Sequence, residues 1–305
     1  MTDITNPIYS DANKAREHLE ALHWPNGPVC PHCGNCDAKR ITKLAGKSTR
    51  AGVHKCKECV KPFTVTVGTI FEDSKIPLNK WLMAFRLLNG AKKGMSAHEL
   101  HRDLGITYKS AWFMSHRIRE AMKTEGGPLG GPNEVVEADE TYVGGKARNR
   151  AFRKPAPKKA VVALVTRDGH ARSFHVANVN AATLRPLIVT NVDRASHLMT
   201  DESPVYVRTG REFAGHTTVI HSANEYVRKG GFAHSNTAEN FFSIFKRGVI
   251  GTYHHMSEAH LGRYCAEFDF RYNTRKMSDA ERSAEAVRGA RGKRLTYRQP
   301  STLAA

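Results

Sequence analysis

No stretch of the 305-residue chain approaches the roughly 20 consecutive apolar residues of a membrane-spanning helix, so no membrane partner is expected. The opening Met1-Thr2-Asp3-Ile4 lacks a basic-then-apolar signal, and the expected location is the cytoplasm. Cysteine is scarce: six in all, five of them between Cys30 and Cys59, which does not suit an extracellular disulfide framework in a chain this long. No internal repeat is found. Acids are also in deficit. Against 47 Lys and Arg stand only 29 Asp and Glu, leaving a formal charge of +18. A surface that basic meets polyanions readily, so nucleic acid is the first partner to consider. The 40% of hydrophobic residues suffices for ordinary cores. At about 150 residues per domain, the length allows two domains.

The chain divides by composition. Residues 1–72 hold an N-terminal helix and the cysteine cluster. Residues 73–123 read as helices. Residues 124–133 are a Gly/Pro-rich linker. Residues 134–276 alternate strand and helix patterns, and 277–305 form a basic tail, expected to be mobile after Glu285. Within the larger segment, strands are expected over 134–143, 160–166, 171–176, 196–200 and 217–221. Helices are expected over 181–192, 204–213, 237–247 and 258–272. The first three strands make a meander, and the whole reads as a mixed α/β sheet. Residues 146–159 join the first two strands; seven of the 14 are basic and none is acidic. That segment reads as a mobile loop tracking phosphates, with Lys158 and Lys159 as candidate contacts.

Cys30 and Cys33 form one C-x2-C pair, and Cys56 and Cys59 form another 22 residues later. Two such pairs supply four thiolates to a tetrahedral Zn²⁺, a closed structural shell with no open position. A second register, Cys33 and Cys36 with the same partners, has a gap of 19. The first is preferred because Pro31 and Gly34 favour the tight turn of a knuckle. Cys36 is then a spare thiol. Residues 63–67 alternate like the strand that completes a ribbon, and Cys265 reads as a core residue.

Ser96 and Glu99 have the spacing of a capping box before Leu100 and Leu104. Gly105 then separates this short helix from a longer one over 108–122. The pattern resembles a helix-turn-helix, with Lys109, His116, Arg117 and Arg119 on the second helix. Lys109 and Arg117 are the candidate DNA contacts. Trp81, Phe85 and Leu88 read as the packing face of the preceding helix, and Trp112 as core.

Three carboxylates stand out by position. Alternation puts Glu137, Asp139 and Thr141 on one face of a strand. Asp201 ends the fourth strand after an apolar run, a usual place for active-site residues; Asp193 and Glu202 are its rivals. Glu239 opens a helix with Phe241, Ile244 and Phe245 as its buried stripe. Ser243 and Lys246 share a face with Glu239. Acids so placed in a basic protein suit two Mg²⁺ ions acting on a phosphodiester.

From about Leu19 to Arg275 the chain resembles a bacterial insertion-sequence transposase of the DDE type. Several motifs carry the likeness. They are Trp24-Pro25 before the knuckle, Gly68-Thr69-Ile70-Phe71 with Lys75-Ile76-Pro77-Leu78, and Asp139-Glu140-Thr141-Tyr142-Val143-Gly144-Gly145-Lys146. Thr200-Asp201, His234-Ser235-Asn236-Thr237-Ala238-Glu239 and Phe245-Lys246-Arg247-Gly248 follow. His260-Leu261, Arg263-Tyr264, Glu267-Phe268 and Phe270-Arg271-Tyr272-Asn273 come last.

The resemblance implies an RNase H-like α/β catalytic domain behind a zinc ribbon and a helical segment. It implies Asp139, Asp201 and Glu239 as the triad for two Mg²⁺ or Mn²⁺, with one structural Zn²⁺ elsewhere. Lys246 would bind DNA near the reacting end, with Arg247 beside it. In this group Asn can stand for Glu at the third position, and Asn236 and Asn240 flank Glu239. His234 is placed near the site. The implied partners are terminal inverted repeats and target DNA, bound by a homodimer or higher oligomer. The competing readings are a zinc-ribbon and helix-turn-helix regulator without catalysis, and an RNase H-like nuclease that cleaves without joining.

Overall fold

The computed structural model describes residues 3–124, 126–144, 157–219 and 234–297. The chain forms two compact units, one of residues 1–123 with 277–305, the other of residues 124–276.

In the first unit, α1 (Ala12–His23) starts at Asp11, whose carboxylate accepts from the N–H groups of Asn13 and Lys14 at 2.7 and 3.2 Å. A three-stranded antiparallel ribbon follows: β1 (Ile41–Lys43), β2 (His54–Cys56) and β3 (Pro62–Phe63). The last strand is shorter than the alternation over 63–67 suggests. After Phe63 the chain turns, with Val67 N–H bonded to Thr64 O and the hydroxyls of Thr64 and Thr66 bonded to each other. Threonine hydroxyls that bond locally compete with strand pairing.

Three helices then pack together: α2 (Leu78–Gly90), α3 (Ala97–Leu104) and α4 (Tyr108–Ala121). Ser96 Oγ accepts from Glu99 N–H at 3.1 Å, and Gly105 takes the left-handed conformation (φ 57°) that ends α3. Trp81, Phe85 and Leu88 are buried on α2, as their spacing predicts.

The segment read as a mobile basic tail is different. Residues Asp279–Arg288 form α9, opened by a full Ser278–Glu281 capping box, and α9 packs on α1, α2 and α4. Ala286, Val287, Ala290 and Leu295 are buried, and His23 Nε2 lies 2.9 Å from Val287 O. The basic residues dominate the composition there, but one apolar stripe is enough to dock the helix.

The second unit is a five-stranded mixed sheet in the order β6-β5-β4-β7-β8. Its strands are β4 (Val135–Val143), β5 (Lys159–Thr166), β6 (Ala171–Val176), β7 (His197–Asp201) and β8 (Gly215–Val219). The expected fifth strand ran to 221, and residues 220 and 221 lie outside the described ones. β4, β5 and β6 form the antiparallel meander, while β7 and β8 join β4 in parallel. From Ala160 to Thr166, every residue of β5 is buried, which explains its unbroken apolar run.

Helices cover both faces of the sheet. Val136, Ala138, Val162 and Leu164 pack with residues of α5 (Ala181–Asn191) and α6 (Pro204–Gly210). Val143, Val161, Ala163 and Val165 pack with α7 (Asn236–Gly248) and α8 (Glu258–Asn273). The buried stripe of α7 is Ala238, Phe241, Phe242 and Phe245; Ile244, expected in it, is only partly buried. Cys265 is buried, as expected.

The Gly/Pro segment read as a linker is partly built into this unit. Leu129 N–H bonds Asn191 O at 2.7 Å, and Leu129 O accepts from Asp193 N–H at 2.8 Å. Gly130 sits at φ 83°, and a Cβ there would run into Ser196 Oγ and Val136 Cγ2, so only glycine fits. No helix among the described residues is long and apolar enough to cross a membrane.

Candidate functional site

Two arrangements carry chemistry: a thiol cluster in the first unit and a carboxylate group in the second.

The thiols of Cys30, Cys33, Cys56 and Cys59 lie within 4.8 Å of one another. Cys30 Sγ is 3.6 Å from Cys59 Sγ, and Cys33 Sγ is 3.7 Å from Cys56 Sγ. Tetrahedral Zn²⁺ with Zn–S bonds of about 2.3 Å requires sulfurs about 3.8 Å apart, so this donor set fits one structural zinc. Cys36 is exposed and outside the cluster, which selects the Cys30/Cys33 register. The Cys59 backbone N–H and the Asn35 side-chain amide, 3.5 Å away, stabilise the Cys56 thiolate and bring that thiol down to about 6.

The carboxylates are positioned by the sheet. In the parallel β4–β7 ladder Glu137 pairs with Met199. Asp139 and Asp201 stand two residues further along their strands, so they lie on the same face of the sheet. Burial pushes the Asp139 carboxyl up to about 7, and the nearby charges of Glu140, Asp201 and Glu239 push the same way, against a lowering bond from Glu140 N–H. The charges of the other two expected carboxylates, Asp201 and Glu239, therefore act on Asp139. The three carboxylates are not drawn into a tight cage: among the described residues only the four cysteines bring three or more ligand atoms within 4.8 Å. All are hard oxygen donors, the chemistry that suits Mg²⁺ or Mn²⁺. Of the rivals, Asp193 accepts from Ala195 N–H in its own turn.

Glu239 is exposed on α7, on one face with Ser243 and Lys246, both also exposed. Arg247 reaches back to donate to Ser243 Oγ at 2.8 Å. Asn236 and Asn240 are exposed beside them.

Two neighbouring carboxylates have partners that alternation alone does not reveal. Glu140 accepts from the buried Tyr206 hydroxyl, and burial raises its carboxyl above the ordinary range. Glu137 is fully buried, and its Oε2 accepts from the N–H groups of Thr237 and Ala238 at 2.9 and 3.0 Å. Its Oε1 accepts from Thr237 Oγ1 at 3.0 Å. Arg167 Nε lies 3.5 Å from the same oxygen and His234 Nδ1 3.2 Å. His234 thus stands against Glu137.

The expected DNA contacts separate. Lys109 is exposed on the first turn of α4, with Nζ 4.8 Å from the Tyr297 ring centre. Arg117 is not at the surface. It is 6% exposed, its guanidinium donates to Glu72 O, and it lies over the rings of Trp81 and Phe113 at 5.6 and 5.4 Å. Residues 114–119 of α4 are all buried, so the helix-turn-helix pattern places a central packing helix here, with its first turn alone presented. Trp112 is half-buried, its ring 4.3 Å from that of His116. The basic segment 146–159 lies outside the described residues as far as 156; Lys158 is exposed, while Lys159 Nζ donates to Met256 O at 2.5 Å.

Comparisons with known proteins address the same regions. Residues 128–273 match the ISXO2-like transposase domain, and residues 10–61 match the transposase zinc-ribbon domain. A protein in transposable element ISH50 of Halobacterium salinarum is 26% identical over 275 residues, covering 85% of this chain and 90% of that one. The male abnormal protein mab-31 of Caenorhabditis elegans is 27% identical over 202 residues, covering 59% of this chain and 47% of its own. Among solved structures, a chain of the simian T-cell lymphotropic virus intasome in complex with the PP2A regulatory subunit B56 gamma aligns at 16% identity. It covers 59% of this chain and 66% of that one, with a TM-score of 0.28. The Mos1 strand transfer complex aligns at 13% identity over 65% and 77%, with a TM-score of 0.23.

Proposed function

We propose, from the premise that this chain belongs to the transposases that join a transposase zinc ribbon to an ISXO2-like DDE transposase domain, that it cuts DNA at the ends of an insertion sequence and joins them to target DNA. The observation that carries the reading is the meeting of Asp139, Asp201 and Glu239 from two parallel strands and a helix, inside the segment that matches the transposase domain.

Those three residues would hold two Mg²⁺ or Mn²⁺ ions, which when bound activate an attacking oxygen and stabilise a leaving one. Asp139 and Asp201 present their carboxylates from neighbouring strands on one face of the sheet, which limits their relative movement. The charge of Glu239 acts on Asp139, which supports Glu239 as third donor. Lys246 lies seven residues beyond Glu239 on the same exposed face, about 10 Å along the helix axis at 1.5 Å per residue. Its ammonium would hold a phosphate next to the reacting one. Lys109, Lys158 and Arg247 would add backbone contacts. The zinc ribbon and the first turn of α4 would read the terminal repeats.

The test is an incubation of the purified protein with labelled element-end DNA, a target plasmid and Mg²⁺ or Mn²⁺. Cleavage leaving a 3′-hydroxyl, followed by joined product, supports the proposal. Cleavage without joining replaces it with a nuclease, and specific binding without cleavage replaces it with a regulator.

A further inference from the structure

Helix α7 opens without the help of its own first residue. Ser235 holds the N-cap position, yet its side chain makes no capping bond. Its hydroxyl turns instead toward Glu239 Oε1, 3.3 Å away. The exposed N–H groups of the first turn still need acceptors. Those of Thr237 and Ala238 find them in Glu137, a residue 100 positions earlier on the central strand. A buried carboxylate has taken the place of the capping side chain, where the helix dipole favours negative charge.

The position of this cap matters. Glu137 is two residues before Asp139 on the same face of β4, and Ala238 is one residue before Glu239. A short chain of bonds therefore runs from Asp139 through the strand to Glu137, across a hydrogen bond to Ala238, and on to Glu239. Thr237 Oγ1 donates to the other oxygen of Glu137, with Arg167 Nε and His234 Nδ1 lying 3.5 and 3.2 Å from it. Each of those contacts fixes the rotamer of Glu137 and so the height at which α7 begins.

We propose that Glu137 is the positioning residue of the site: it sets the distance between Asp139 and Glu239 by capping α7 from the central strand. This rests on the reading of Asp139, Asp201 and Glu239 as the metal-binding triad. Glu137 touches neither substrate nor metal; its effect passes through Glu239. A misplacement of about 1 Å at a reacting centre costs roughly 100-fold in rate, and one methylene is about that size.

The experiment uses the full-length protein and follows Mn²⁺ binding by paramagnetic resonance alongside cleavage of end DNA. Glu137→Asp keeps the charge but shortens the reach; Glu137→Gln keeps the reach but loses the charge. Both are expected to weaken Mn²⁺ binding at the triad about tenfold and to slow cleavage by 10- to 100-fold, with end-DNA affinity within twofold of the parent. In a Glu239→Gln background, Glu137→Asp should have no further effect on Mn²⁺ affinity, because the residue it acts through is gone. Effects that simply add in the double variant, or a matching loss of DNA affinity and of melting temperature, would make Glu137 a fold residue and overturn the proposal. If Glu239→Gln itself leaves Mn²⁺ binding unchanged, the triad reading fails instead, and the two failures are distinct.

Discussion

Asp139 and Asp201 share one face of the sheet, each two residues past the Glu137–Met199 pair at which the parallel ladder between β4 and β7 ends. Two carboxylates that face the same space repel unless a cation lies between them. Burial chiefly raises the Asp139 carboxyl, and the charges of Glu140, Asp201 and Glu239 add to it. We predict that Asp139→Asn, Asp201→Asn and Glu239→Gln each reduce cleavage of end DNA at least 1000-fold and leave its binding nearly intact, since basic residues supply the affinity. Parent-level cleavage by Asp201→Asn would remove it from the site, and a dead Asn240→Ala beside an active Glu239→Gln would move the third donor.

The thiol cluster gives a prediction independent of catalysis. One Zn²⁺ per chain should co-purify, as measured by metal analysis. Cys56→Ser should lose it, because three thiolates leave the shell open. Cys36→Ser should keep it, since its thiol lies outside the cluster. Zinc loss in Cys36→Ser with retention in Cys30→Ser would reverse the register.

Arg117 and Lys246 should behave oppositely, although both began as candidate DNA contacts. Lys246 is exposed, so Lys246→Ala should flatten the slope of log K against log salt by about 0.9, the loss of one phosphate contact. Arg117 is enclosed by Trp81, Phe113 and the Glu72 carbonyl. Arg117→Ala should leave the salt slope alone and destabilise the first unit by about 1–3 kcal/mol, from a lost buried bond and lost packing. Chemical denaturation checks the stability and filter binding the slope. A changed slope with unchanged stability would return Arg117 to the surface.

These cases show which features a sequence displays. The Cys30/Cys33 and Cys56/Cys59 spacing, the run in β5, the alternation in β4 and the Ser96 cap are local, so their signals lie within a few residues. Arg117 sits among apolar residues because side chains from α2 and residue 72 come round it, and nothing in the order of residues along α4 reveals that. The docking of α9 likewise depends on α1, α2 and α4, while the run of basic residues after Glu285 suggests a solvated end. Glu137 was assigned to the correct face of β4, but its partners Thr237 and Ala238 lie 100 and 101 positions away. The proposed triad is legible only by combining three positions with the resemblance to known transposases, because a single carboxylate is most often a solvated acid.

Asp269 supplies a test by pH, away from the triad. It lies buried on α8, where Ser173 donates to it through its N–H at 2.8 Å and its hydroxyl at 2.6 Å. Burial outweighs those bonds and pushes the carboxyl up to about 8. An unfolded aspartate releases its proton near 3.9. Between those values the folded protein binds the extra proton, so stability falls as pH rises through the window. The contribution is complete below about pH 4 and gone above about pH 8, at roughly 1.4 kcal/mol for each pH unit within it. Asp269→Asn cannot ionise and keeps an oxygen for the Ser173 N–H. Its unfolding free energy should lose this share of the pH dependence, so that urea midpoints at pH 5 and pH 8 lie closer together than in the parent. Equal midpoint shifts in parent and variant would mean that Asp269 is already ionised in the folded protein at pH 5, with the Ser173 bonds outweighing burial.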